Sequence, residues 1–137
     1  YKLITFLFTG MTIFLLVSYI YPNGHHLRPT TFARDNIFVD LVKMLYEIDT
    51  DTNVLPSIHV YNSIGCALAL ILCPDFKQSK GIKIFASVSA IMITLSTMFI
   101  KQHSILDAVA AILLAIILYI LIYKKDIFQI EKRVSLK

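Results

Sequence analysis

The stretch Ser96-Thr97-Met98-Phe99-Ile100-Lys101-Gln102-His103-Ser104-Ile105-Leu106-Asp107 joins two apolar runs, Ile84 to Ile100 and Ala108 to Tyr123, and neither run holds a charged side chain. About 20 helical residues cross a hydrocarbon core of roughly 30 Å. The two runs therefore read as consecutive membrane spans with a short polar turn at one surface. Leu3 to Leu27 and Thr52 to Pro74 are equally free of charge. With 57% hydrophobic and 16% charged residues, 137 residues are too apolar for an ordinary soluble domain and too few for several. The expectation is an all-α, polytopic membrane helix bundle forming a single domain over 1–137, with four spans near 3–21, 56–73, 82–100 and 104–123. A cleavable signal peptide is the rival reading of the first span, but only Lys2 precedes it and no clean small-residue cleavage pattern follows. A chain opening at Tyr1, already at the edge of a span, is expected to have further helices upstream.

Four spans in series put Lys2, the 74–81 loop and the tail from Lys124 on one side, and the 22–55 loop and the 100–103 turn on the other. The first side carries nine Lys or Arg and the second four, namely Arg28, Arg34, Lys43 and Lys101. The positive-inside rule makes the first side cytoplasmic, so His103 faces outward across a plasma membrane. This bias, with anionic lipid near the tail, accounts for the net charge of +4, and no nucleic-acid partner is inferred from it. Cys66 and Cys73 lie about 10 Å apart along one helix, too far to bridge, and read as packing residues.

His103 and Asp107 are four apart, which on a helix stacks them on one face. The carboxylate can then hold one imidazole nitrogen and leave the other free. Taken alone, the pair is equally a solvated helix end. A second histidine changes the weighing. Pro56-Ser57-Ile58-His59 opens the second span, where the free N–H groups of a first helical turn form an anion site. His59, Asn62, Ser63 and Cys66 make one polar stripe that must face the bundle interior. The alternation of spans brings Arg28, Ser57, His59 and His103 to one outer surface. Arg28 offers forked donors to phosphate oxygens, with interfacial snorkelling as the plain alternative.

The remaining segments read as scaffold. Residues 36–47 place Ile37, Leu41, Met44 and Leu45 on one stripe of a short interfacial helix. Asp49-Thr50-Asp51-Thr52-Asn53 begins like a calcium loop but has Val54 where glycine is needed and Val60 where glutamate is needed, so it reads as a solvated turn. Adjacent His25 and His26 point apart and make a poor metal pair. In the last span Ala110 and Ala111 are expected to continue the face of His103 and Asp107 inward.

Arg28-Pro29, Pro56-Ser57-Ile58-His59, and Ser96 followed seven on by His103 and four further by Asp107 resemble, in order, the three signature motifs of the type-2 phosphatidic acid phosphatase superfamily. The family pattern has a lysine where this chain has Tyr21, a glycine where it has Ile58, and an arginine where it has Thr97. Inositol phosphorylceramide and sphingomyelin synthases, which transfer lipid headgroups, share the Pro-Ser-x-His and His-x3-Asp elements with looser surroundings. The resemblance implies a six-helix core, of which these four spans are the C-terminal part, and a lipid phosphate as substrate. It implies that His103, held by Asp107, attacks phosphorus while His59 protonates the departing oxygen and later activates water. Arg28, Ser57, Ser96 and the N–H groups near Ile58 would bind phosphate, with Lys101 replacing one missing cation. No cofactor and no metal are expected. A metal centre from His59, His103 and Asp107 is the lesser alternative.

Overall fold

The computed structural model describes residues 1–124, and the basic tail at 125–137 that enters the charge count lies outside them. Among the described residues the chain forms five α-helices and no named strand: α1 (Lys2–Ile20), α2 (Ile37–Ile48), α3 (Ile58–Leu72), α4 (Lys80–Phe99) and α5 (Ile105–Tyr119). A 3-10 turn (Pro74–Phe76) links α3 to α4, and α5 runs on into a π-helical turn (Ile120–Lys124). This is the expected all-helical bundle.

Three helices, α1, α4 and α5 with its π turn, are long and apolar enough to cross a membrane. The expected span at 56–73 differs. Its helix is only 15 residues, Ile58–Leu72, or about 22 Å at 1.5 Å per residue. The reason is local. Ser57 caps the helix with its hydroxyl on the Val60 N–H at 3.4 Å, and Pro74 closes the other end in the 3-10 turn. Shortness is tolerated because α3 is central, packing against α1, α4 and α5.

The core is built where small residues let α5 approach. Ala108, Ala111, Ala115, Leu118 and Ile122 recur at alternating three- and four-residue steps and close on Phe6 of α1 and on Val60 and Tyr61 of α3. Asp107 joins this buried face, whereas Ala110 is only half-buried, so the inward stripe is displaced from the expected Ala110–Ala111 pair. Phe6 stacks on Tyr61 with ring centroids 4.7 Å apart, and the Tyr61 hydroxyl donates to the Phe6 carbonyl at 2.7 Å. Outside the core, Leu15, Leu16, Met92, Leu113 and Ile117 stand exposed, the apolar outer surface that a lipid solvent requires. On α2, capped by the Asn36 side chain on the Val39 N–H, the exposed apolar stripe is Ile37, Leu41, Met44 and Ile48; Leu45 is half-buried.

Gly10 sits face to face with Tyr61, and a methyl group there would overlap the ring. Gly10→Ala is expected to cost about 1–3 kcal/mol as overpacking. Gly81→Ala, which meets nothing within 4 Å, should be neutral or slightly stabilising. Thermal unfolding of the detergent-solubilised protein checks the contrast.

Candidate functional site

The loops at one end of the bundle are tied together. The Asn23 side-chain oxygen accepts from the Val54 and Leu55 N–H groups at 2.9 Å each, and Gly24 pairs with Thr52 in an isolated β-bridge. The Tyr46 hydroxyl reaches from α2 to the Ile100 carbonyl at 2.6 Å. The Ser57 N–H donates to the Asp107 carbonyl at 3.1 Å, setting the starts of α3 and α5 side by side.

Between α4 and α5 the chain reverses through Lys101, whose φ of 58° is left-handed. The Gln102 and His103 N–H groups both return to the Thr97 carbonyl, at 3.0 and 3.2 Å. Ser104 then caps α5 in a capping box, its N–H donating to Asp107 Oδ2 at 2.7 Å and its hydroxyl accepting the Asp107 N–H at 3.3 Å. His103 therefore precedes the helix, and the expected stacking of His103 and Asp107 on one helical face does not form. Asp107 Oδ2 lies 3.9 Å from His103 Nδ1, an ion-pair distance, and Nδ1 has no hydrogen-bond partner. The capping N–H holds that oxygen because an orphan helix-start donor is costly to leave unmet.

His59 is exposed, and its ring centroid stands 5.6 Å from that of buried His103, at 61°. Both line a cleft of about 420 Å³ with Ile58, Asp49, Gln102 and Phe14. His59 also heads a second cavity of about 350 Å³, an apolar groove between α3 and α4. Asn62 and Ser63, half-buried, and Cys66, exposed, line this groove, so the polar stripe of α3 runs along an open groove beside α4 and not in the expected bundle interior. Burial of His103, reinforced by the nearby His59, pushes its pKa below the ordinary 6.5, while Asp107 and Asp49 push the other way. The net push is toward the neutral imidazole.

The other expected residues take different places. Arg28, largely buried, donates through one terminal nitrogen to the Tyr46 and Asp49 carbonyls at 3.1 and 2.5 Å, and its other terminal nitrogen is 3.7 Å from the Asp49 carboxylate. Its Nε and Nη2 are buried without hydrogen-bond partners. Ser57 is fully buried as the α3 cap, beneath the cleft. Ser96 is exposed and bonds back to the Ile93 carbonyl, and Lys101 is exposed; neither lines the cleft.

Two residues that the sequence reading passed over join the site. Asp49 is docked and is no solvated turn: its carboxylate accepts from Gln102 Nε2 at 2.9 Å and faces Arg28. Gln102 is buried, and its carbonyl accepts from His25 Nε2 at 3.0 Å, while His26 points outward to Asp51. Each contact joins residues far apart in the chain, so no local spacing signals it. Among the described residues no group of three or more His, Cys, Asp or Glu is arranged to hold a metal ion.

The family model of the PAP2 superfamily matches residues 4–128. The chain belongs to the PAP2 superfamily. No curated protein and no solved structure matches it. Membership in the PAP2 superfamily assigns the chain to lipid-related chemistry of the phosphatase and phosphotransferase type, at a membrane.

By NMR in micelles the His103 imidazole should titrate below the ordinary 6.5, pushed down by burial and by His59. His59→Ala should raise it and Asp107→Asn should lower it further. Between that folded value and 6.5 the unfolded chain binds the extra proton, so this group's contribution to stability rises with pH through the window.

Proposed function

We propose that this protein is an integral membrane lipid phosphatase that cleaves a phosphorus–oxygen bond of a lipid phosphate through a phosphohistidine on His103. The observation that carries the reading is the pairing of buried His103 with exposed His59 in one cleft at a bundle end. In the first step His103 Nε2 forms a bond to phosphorus as the bond to the lipid oxygen breaks, and His59 gives that oxygen its proton. In the second, water attacks phosphorus, passes a proton to His59, and the N–P electron pair returns to His103. Phosphoryl transfer depends on positioning and on neutralising the equatorial oxygens. The α3 start supplies N–H groups near Ile58 for this, and Arg28 stands behind Asp49 at the rim of the cleft lining. Asp107, 3.9 Å from His103, favours the charge that develops on the ring. The count of basic residues supports an extracytoplasmic site with a cytoplasmic C-terminal tail.

A second reading is transfer of the phosphorylated headgroup to an acceptor alcohol lipid. The absence of cations at Tyr21 and Thr97 favours it, since headgroup transferases share the looser motif.

Full-length protein in detergent, given a panel of lipid phosphates with chelator present, is expected to release phosphate. His103→Ala should lose at least about 10³-fold, the scale on which removal of a covalent nucleophile acts. The wild type should also trap an acid-labile phosphoryl group that the variant does not. Product that forms only with an added acceptor alcohol would move the transferase reading ahead. Undiminished release from His103→Ala would sink the mechanism.

A further inference from the structure

His103 lacks the hold on its ring that Asp107 was expected to give. Asp107 Oδ2 takes the Ser104 N–H, and the His103 Nδ1 that faces it has no hydrogen-bond partner. The backbone is fixed instead. The peptide joining Gln102 to His103 has both polar atoms bonded: its N–H donates to the Thr97 carbonyl at 3.2 Å, and its C=O accepts from His25 Nε2 at 3.0 Å. A carbonyl oxygen can only accept, so His25 carries a proton on Nε2. His25 is itself seated by its backbone N–H on the Asp51 carbonyl at 3.2 Å, next to the bridge between Gly24 and Thr52. It is half-buried and stands outside the cleft lining, whereas the side chain of His26 is 100% exposed.

We propose that His25 is a positioning residue for His103, acting through the Gln102 carbonyl to hold the peptide plane from which the His103 side chain projects. The proposal rests on the reading that His103 attacks phosphorus. In-line attack needs the nucleophilic nitrogen at a narrow range of distances and angles. A ring with no partner at Nδ1 takes its direction from the backbone that carries it. Thr97 holds that peptide from the end of α4, and His25 holds it from the 22–55 loop. The other ties of the turn lie elsewhere: Gln102 Nε2 donates to Asp49 at 2.9 Å and the Tyr46 hydroxyl to the Ile100 carbonyl at 2.6 Å, and neither touches the peptide between Gln102 and His103. Removing the His25 donor leaves the carbonyl of buried Gln102 in need of a new partner, and the plane turns to find one. The role asks for a donor at the place of Nε2, with no charge and no proton transfer.

The test is turnover of a lipid phosphate, with trapping of phosphohistidine, by the full-length protein in detergent. His25→Leu keeps the bulk and removes the donor. Its kcat should fall about tenfold or more, within the range that a misplacement of up to about 1 Å brings. Its KM should stay within about twofold, because the lost interaction acts on the reacting geometry and not on substrate binding. His25→Gln, whose amide nitrogen can stand where Nε2 stands, should return kcat to within about threefold of wild type. His26→Ala should leave it unchanged. Undiminished kcat in His25→Leu overturns the proposal, and so does an equal loss in His25→Leu and His25→Gln, since a donor is then not what matters. Nitrogen-15 NMR of the wild type in micelles gives a readout free of any variant: the His25 proton should reside on Nε2, and a bare Nε2 overturns the role. A wild type that traps no phosphate on His103 overturns the functional reading and this role with it. Phosphohistidine that forms as fast in His25→Leu as in wild type removes only the role of His25.

Discussion

The Ser57 N–H to Asp107 carbonyl bond, 3.1 Å long, is the constraint on which the site depends. It fixes the cap of α3 beside the first turn of α5, two residues before His59 and four after His103. Two helix N-termini so placed bring two positive dipole ends together, an arrangement that costs energy unless a negative group lies between them. Asp107 supplies that group, with its side chain on the Ser104 N–H and its carbonyl on Ser57. The same polarity makes the spot receptive to an anion. The residue that reads as a catalytic orienter is thus also the fastener of the two helices, and its 3.9 Å separation from His103 follows from that second duty.

Much of the fold was legible because the bilayer imposes a simple rule. Charge-free runs long enough to cross it announced α1, α4 and α5, and capping residues such as Ser104 and Asn36 stood in the sequence at the observed helix starts. The length of α3 was less legible. Thr52 to Pro74 is free of charge throughout, but the helix inside it is bounded by Ser57 and Pro74, and hydropathy does not register a cap. The site was legible as a set of histidines and illegible as a set of contacts. His59 and His103 meet as the alternation of spans requires, and Asp107 comes within ion-pair distance of His103, but the hydrogen bond to the ring is missing because His103 precedes the helix and the Ser104 N–H takes that carboxylate oxygen. Asp49 was missed since its partners stand 21 and 53 positions away and its neighbours suggested only a failed calcium loop.

Within the cleft, electrostatics and burial act in opposite senses on neighbouring groups. His103 is driven toward its neutral form by loss of water and by a second imidazole, against the pull of two carboxylates. Arg28 spends part of its donor capacity on the end of α2, through the Tyr46 and Asp49 carbonyls, with its guanidinium 4.6 Å from the Tyr46 ring centroid. Helix α2 is therefore part of the site: it carries the floor on which the arginine rests, and Tyr46 ties it to Ile100.

The brevity of α3 has a consequence at the end that carries the histidines. Ser57, the cap of α3, is bonded to Asp107, three residues past Ser104, the cap of α5, so α3 opens about 4–5 Å deeper than α5 at about 1.5 Å per residue. The missing turn of α3 is a recess at the head of the bundle, floored by Ile58 and walled by Asp49, Asn53, Val54, Gln102 and His103. A helix that starts late leaves room above its own first N–H groups, and the cleft stands in that room.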